Sequence, residues 1–164
     1  MIHLETKRLI LRNVRPTDAE IMFDYRNNEM CARYQRGQTK DLEGIQALTQ
    51  RRQNDTLTTT DNAMVAVALK ETDEMIGEIV VMPNDDCFSL GYTFHYAHHR
   101  RGYAFEALSC LIENLHSLQP DWEFISFTET ENIPSQKLLL KLGYTDMGYI
   151  EKLDSQMFGK YLAE

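Results

Sequence analysis

Cysteine is scarce in this chain: Cys31, Cys87 and Cys110 are odd in number, far apart and in no paired motif. That excludes a disulfide framework and fits reduced, mostly buried thiols of a cytoplasmic protein. Basic charge is also short, with 17 Lys and Arg against 25 Asp and Glu, a net charge of −8 and a pI near 5.1. Nucleic acid, whose phosphates demand a basic face, is therefore excluded as a partner. No stretch approaches the ~18 consecutive apolar residues that a membrane span needs. The first residues, Met1–Glu5, carry no apolar leader region. A soluble, cytoplasmic chain with no membrane partner is expected. Repeats, low-complexity tracts and composition shifts are absent too. The 164 residues, 1–164, then form a single domain, long enough to bury a real core.

What the chain does have is organised around Ser89–Leu118. Ser89 to Tyr96 is rich in aromatics and reads as a strand of period two. It breaks at Ala97-His98-His99-Arg100-Arg101-Gly102, and Ala104, Ala107, Leu108, Leu111, Ile112 and Leu115 then recur at helical spacing. Gly102 sits at the join, where a backbone without Cβ can approach a ligand closely. The first N–H groups of the helix lack intrahelical partners and carry the positive end of its dipole, so they favour an anion. Arg100 and Arg101 can add charge-assisted bonds to phosphate. This pattern predicts a phosphate cradle, but not the two commonest kinds. The dinucleotide fingerprint needs three spaced glycines, and only Gly102 is here; no Gly-Lys-Ser/Thr triplet of a P-loop occurs anywhere.

Around this centre the elements fall in order. Leu4–Arg12 predicts a strand. Thr17-Asp18-Ala19-Glu20 has the spacing of a capping box, with Thr17 as cap and Glu20 reaching back. A helix fading near Asn27-Asn28 follows, then a polar loop through Gln35–Gln38 and a helix over about 41–52. Residues 63–69 and 75–82 predict two strands that form an antiparallel meander with the aromatic one. The long helix ends at Gln119-Pro120. Trp122–Thr128 is the next strand, parallel to its predecessor because a crossover helix joins them. Asn132 to Tyr144 then predicts a helix with Asn132 as N-cap, Pro134 in its first turn and Gly143 closing it.

These motifs together resemble the GNAT superfamily of N-acetyltransferases. The family carries a Gln/Arg-x-x-Gly-x-Gly/Ala turn for the pyrophosphate of acetyl-CoA, matched by His99-Arg100-Arg101-Gly102-Tyr103-Ala104. An Asn-x-x-Ser/Ala…Gly-Phe/Tyr helix follows in the family, matched by Asn132 to Tyr144. The opening Glu5-Thr6-Lys7-Arg8-Leu9-Ile10-Leu11-Arg12 is similar to the ribosomal-protein-alanine acetyltransferase-like branch. His99 departs from the usual Gln or Arg, at a position that works through its backbone.

The resemblance implies a mixed α/β (α+β) fold: a mostly antiparallel twisted sheet of about 6–7 strands with about 4 flanking helices, and a central parallel pair splayed around the cofactor. It also implies transfer of an acetyl group from acetyl-CoA to a primary amine, a small cationic amine or a protein N-terminus, by direct attack. Acetyl-CoA would contact Phe94, His95, Tyr96, His99, Arg100, Arg101, Gly102, Tyr103, Ala104 and Asn132. Backbone N–H groups over Phe94–Tyr96 would polarise the thioester carbonyl. Many members place a proton-donating Tyr seven residues after the Asn, where this chain has Leu139; the branch resembled here tends to use a Ser three residues after it, Ser135. Ser135 stands as candidate acid and equally as a helix-start hydroxyl bonded to backbone. Glu78 stands as candidate base or as a plain strand carboxylate. No metal is implied: His95, His98 and His99 have no completing ligand. Acidic residues flanking the cleft (Asp18, Glu20, Asp24, Glu29, Asp85, Asp86, Glu129, Glu131) predict a cationic acceptor. A non-catalytic acyl-CoA-binding module of the same fold is the alternative, and a homodimer stays open.

Overall fold

The structure, a computed structural model, describes residues 1–163. Its centre is one sheet in the order β1-β2-β3-β4-β5-β6-β8-β7. The strands are β1 (Ile2–Glu5), β2 (Leu9–Asn13), β3 (Ala63–Leu69), β4 (Met75–Asn84), β5 (Cys87–Phe94), β6 (Glu123–Thr128), β7 (Thr145–Ile150) and β8 (Ser155–Lys160). Every neighbouring pair is antiparallel except β5 and β6. The helices are α1 (Ala19–Arg26), α2 (Glu29–Ala32), α3 (Leu42–Arg52), α4 (Tyr103–Leu118) and α5 (Ile133–Lys141).

The eight strands exceed the expected 6–7 for a local reason. The run Leu4–Arg12 is broken at Thr6, whose N–H donates to Leu9 O at 2.9 Å while its hydroxyl accepts from Leu9 N–H at 3.0 Å. The chain reverses there, and one expected strand becomes the hairpin β1–β2.

β3 shows why the sheet is central. Val65 and Val67 join the cluster under α4, with Ile79, Phe88, Leu108, Leu111 and Phe124. Met64 and Ala66 join the opposite cluster under α1 and α3, with Met22, Tyr25 and Ile45. A strand covered on both faces has no polar side to show, hence the unbroken apolar run.

The expected capping box at α1 does not form. Asp18, not Thr17, precedes the helix, and its side chain caps nothing there. Its carboxylate instead accepts from Arg15 N–H at 2.8 Å and from both terminal nitrogens of buried Arg12, at 2.9 and 3.0 Å. A buried guanidinium needs a counter-charge more than a helix end needs a cap.

Candidate active site

The site begins where the sheet comes apart. β5 and β6 are in register only over Cys87–Ser89 and Glu123–Ile125; beyond that the two strands run on without pairing to each other, β5 held by β4 alone and β6 by β8. His95 N–H donates back to Ile76 O on β4 at 2.7 Å, so the alternate residues Tyr92 and Phe94 aim their main-chain groups into the opening. Their carbonyls are satisfied by side chains. Gln35 Nε2 donates to Tyr92 O at 3.0 Å, and Phe94 O accepts from His99 Nε2 at 2.7 Å and from Cys31 Sγ at 3.2 Å. The N–H groups of Tyr92 and Phe94 point the same way, as donors to whatever enters. A groove of about 940 Å³ follows this opening from the α2 end to the start of α4.

At the α4 end stands the cradle. Arg100 has φ +64° and Gly102 φ +79°, two left-handed residues that turn the chain sharply before the helix. The first helical bond in the turn is Glu106 N–H to Gly102 O at 3.0 Å, so the N–H groups of Tyr103, Ala104 and Phe105 precede the ladder. Gly102, Tyr103, Ala104 and Arg100 all line the groove. The helix start is anchored from below. Glu106 accepts from the Thr6 hydroxyl at 2.5 Å, from Arg8 N–H at 2.9 Å and from Arg8 Nε at 2.7 Å. Burial pushes the Glu106 carboxyl up, but the bonds from Thr6 and Arg8 outweigh it and hold the group below its ordinary range. Glu106 thus stays ionised, and its charge is paired with Arg8 rather than left open toward the cradle.

α5 forms the facing wall. Asn132 Oδ1 accepts from Ser135 N–H at 3.3 Å, so the residue does cap the helix, and it also lines the groove. Ser135 Oγ meets Tyr92 OH at 2.5 Å and has no bond to a backbone carbonyl. The reading of Ser135 as a helix-start hydroxyl satisfying backbone is thus corrected. Leu139, where a Tyr is common, is buried in the core at 1% exposure.

A strap over the 33–40 loop crosses the open mouth. Gln38 Nε2 donates to Thr93 Oγ1 at 3.0 Å and Tyr34 OH to Glu131 O at 3.2 Å. Arg36 donates to Glu129 at 2.6 Å, to Leu153 O at 2.9 Å and to Asp154 O at 2.7 Å. The sequence shows this segment only as a polar loop. Its partners lie as far as 118 residues away, and no local pattern announces them.

Several expected contacts fall elsewhere. His95 and Tyr96 do not line the groove: His95 Nε2 bonds Asp24 at 3.1 Å, Tyr96 OH bonds the same carboxylate at 3.0 Å, and the two rings stack. Their turn away follows from β5 ending at Phe94 rather than Tyr96. Arg101 is exposed and off the groove wall, whereas Arg100 is on it. Glu78 is 2% exposed, with both oxygens taken by Arg26 Nε (2.8 Å), Arg26 Nη2 (2.5 Å) and Tyr25 OH (2.7 Å). It faces the α1 side of the sheet and lines no part of the groove, so the expectation of a base there is corrected. The same burial, with the Glu78 charge beside it, pushes the Tyr25 phenol well above its ordinary value.

The acidic rim is also corrected. Asp18 is buried against Arg12, Asp24 is bonded to His95 and Tyr96, and Asp85-Asp86 form the β4–β5 turn at the paired end of the strands. Glu129 alone lines the groove, held by Arg36, against Arg33, Arg36, Arg100, Lys137 and Lys141. The chain is acidic overall, yet this groove is basic. Three lining residues also keep a buried polar atom without a partner among the described residues, His98 Nδ1, Ser126 Oγ and Thr128 Oγ1, as expected where a ligand supplies the bond. Burial lowers the His98 pKa below its ordinary value. Among the described residues no three His, Cys, Asp or Glu side chains cluster as metal ligands, and no helix is long and apolar enough to cross a membrane.

A sheet split at one parallel pair, with a left-handed turn and a helix start at one end of the split, defines an acyl-CoA-dependent acyltransferase fold. The acetyltransferase (GNAT) domain family matches residues 8–145, and the chain belongs to that family, whose members are acetyl-CoA-dependent acetyltransferases. Among curated proteins it is 26% identical over 160 residues to the uncharacterized N-acetyltransferase YnaD of Bacillus subtilis, covering 92% of this chain and 87% of that protein. Among solved structures, a GNAT-family acetyltransferase from Bacillus anthracis superposes with a TM-score of 0.81 at 18% identity, covering 97% of this chain and 96% of that one. RimL, a ribosomal L7/L12 α-N-protein acetyltransferase in complex with coenzyme A, superposes with a TM-score of 0.80 at 12% identity, covering 98% and 97%.

Proposed function

We propose that the protein transfers the acetyl group of acetyl-CoA to the α-amine of a peptide or protein N-terminus. The observation that carries the choice of acceptor is the lack of a free carboxylate: among the described residues that line the groove Glu129 is the single acid, and Arg36 already holds it. A polycation would find no free carboxylate there to hold its further charges, whereas a chain end carries one amine and an extended backbone that the open mouth admits.

The residues divide the work along the groove. The N–H groups of Tyr103 and Ala104, with Arg100, would hold the pyrophosphate of acetyl-CoA. The Asn132 amide and His98 Nδ1 face the stretch between cradle and opening, where the pantetheine arm would lie. Phe94 N–H, rather than the His95 N–H already bonded to Ile76, would polarise the thioester carbonyl. The acceptor nitrogen attacks that carbon directly and loses its proton to solvent. An α-amine, with a pKa near 7.7–8.0, is ~10–20% neutral at pH 7, so no buried base is required. Lysine near 10.4 would be ~200–400-fold scarcer as the free base.

The test is a thiol-release screen with acetyl-CoA and four acceptor classes: N-terminal peptides, free amino acids, polyamines and aminoglycosides. Release with peptides, absent when their N-terminus is blocked, is the expected result. Release only with polyamines would refute the acceptor assignment. Tight acetyl-CoA binding without any release would favour the binding-module reading.

A further inference from the structure

Two hydroxyls meet inside the groove, from elements 43 residues apart: Tyr92 OH on β5 and Ser135 Oγ on α5, 2.5 Å apart. Each side chain carries one proton and two lone pairs. One proton lies between the two oxygens, so one O–H is left over. Among the described residues neither oxygen has another partner, and both residues line the groove. The remaining O–H can therefore be answered only by what occupies that space. Leu139, buried and without a hydroxyl, offers no substitute from α5.

We propose that Tyr92 is a positioning residue that holds Ser135 so that the serine's single free O–H faces the sulfur of bound coenzyme A. The inference rests on the acetyl-transfer reading and extends it to the departure of the thiol. The phenol is the stronger acid of the two, so Tyr92 donates to Ser135 Oγ and Ser135 keeps its proton for the groove. Burial lifts the Tyr92 pKa above its ordinary value, so the phenol stays protonated and the orientation persists across the working pH range.

The step balances as follows. As the C–S bond breaks, its electron pair goes to sulfur. Ser135 Oγ–H passes its proton to that sulfur, and the Tyr92 proton moves onto Ser135 Oγ. The phenolate then recovers a proton from solvent, which has received the one released by the acceptor nitrogen. The amine has lost one proton and the thiol has gained one, with no oxidant or metal involved.

Coenzyme A itself is the probe. A hydroxyl donating to sulfur favours the thiolate, so the thiol pKa of bound CoA falls by about one unit from the free value near 8.5. It is read from thiolate absorbance in a pH titration of the wild-type complex, with no acceptor present. Tyr92→Phe keeps the ring and packing, and Ser135→Ala removes the donor. Each should return the thiol pKa to the free value while CoA affinity stays within about threefold. In turnover with the acceptor found by the screen, each single substitution lowers kcat roughly tenfold to a hundredfold with the acetyl-CoA KM held, and the double substitution is no worse. The deficit shrinks above about pH 8.5, where the departing thiolate needs no proton. An unshifted thiol pKa in a wild-type complex that does bind CoA overturns the inference alone. So does a double variant whose losses simply multiply. Absence of CoA binding by the wild type overturns the acetyl-transfer reading and this inference with it.

Discussion

Substituting Glu78 by Gln separates a structural carboxylate from a catalytic one. Glu78 and its partner Arg26 are 2% and 3% exposed, and the pair is closed by Tyr25 OH as a third bond. In Glu78→Gln the remaining carbonyl oxygen still accepts from Tyr25 and Arg26 Nε. The new amide NH₂ then stands donor-to-donor against Arg26 Nη2, and the guanidinium keeps only Thr39 O, at 3.0 Å, as a further partner. Breaking a buried pair at one partner costs about 3–5 kcal/mol, because the other charge remains buried without compensation. Retained hydrogen bonds put this case near the lower end, about 3 kcal/mol. Against a total stability of ~5–15 kcal/mol, that is a large share. For a chain of 164 residues each kcal/mol shifts Tm by about 2–4 °C, so the expected drop is roughly 6–12 °C. Circular dichroism melts and urea midpoints measure it. Removing both charges, with Arg26→Met added to Glu78→Gln, should recover much of the loss, since an apolar replacement of the pair is often neutral. Turnover of folded Glu78→Gln, measured well below its Tm, should stay within a few-fold of wild type. An unchanged Tm with turnover abolished would refute the reasoning and restore Glu78 as the base.

Three further outcomes are expected. Gly102→Glu should abolish CoA binding in calorimetry: its φ of +79° adds about 1–2 kcal/mol of strain, and the carboxylate sits in the cradle; Gly102→Ala, with the strain alone, should bind better than the glutamate variant. Asn132→Asp keeps an N-cap acceptor for Ser135 N–H but loses the amide donor that faces the groove, so CoA affinity should fall while Tm barely moves; the reverse pattern would leave Asn132 a simple cap. Burial raises the pKa of Tyr25, Tyr92 and Tyr144, so above pH 10 the unfolded chain releases protons that the folded one retains, and stability falls as pH rises. Urea midpoints should show that decline, and Tyr92→Phe should make it shallower by up to about 1.4 kcal/mol per pH unit.

Much of this was legible because it is local. The change of period at Gly102 marks the cradle, and Asn132 with Pro134 and Gly143 marks α5; both motifs face the groove as local chemistry requires. β3 announced itself by an apolar run buried on both faces. What stayed hidden depends on pairings across the chain. Nothing near Glu78 in the sequence reveals that Arg26, 52 residues earlier, occupies both its oxygens. The net charge of −8 suggested an acidic cleft because composition averages over a surface, while the groove gathers Arg33 and Arg36 from the strap, Arg100 from the turn before α4 and Lys137 from α5. Nothing near Tyr92 in the sequence shows that α5 brings Ser135 to its hydroxyl, 43 residues on. The role of Thr6 and Arg8 is another case: they anchor Glu106, 98 to 100 residues away, a physical reason for the opening motif.

The most direct measurement is mass-spectrometric mapping of the acetyl group on a peptide that carries both a free N-terminus and an internal lysine, incubated with acetyl-CoA and the protein across pH 6–9. Acetyl transfer to an α-amine predicts label on the N-terminal nitrogen, none on the lysine, and a rate that climbs with pH and levels off above about 8 as that amine becomes neutral. Label on the lysine side chain, or no label while acetyl-CoA is bound, would contradict it.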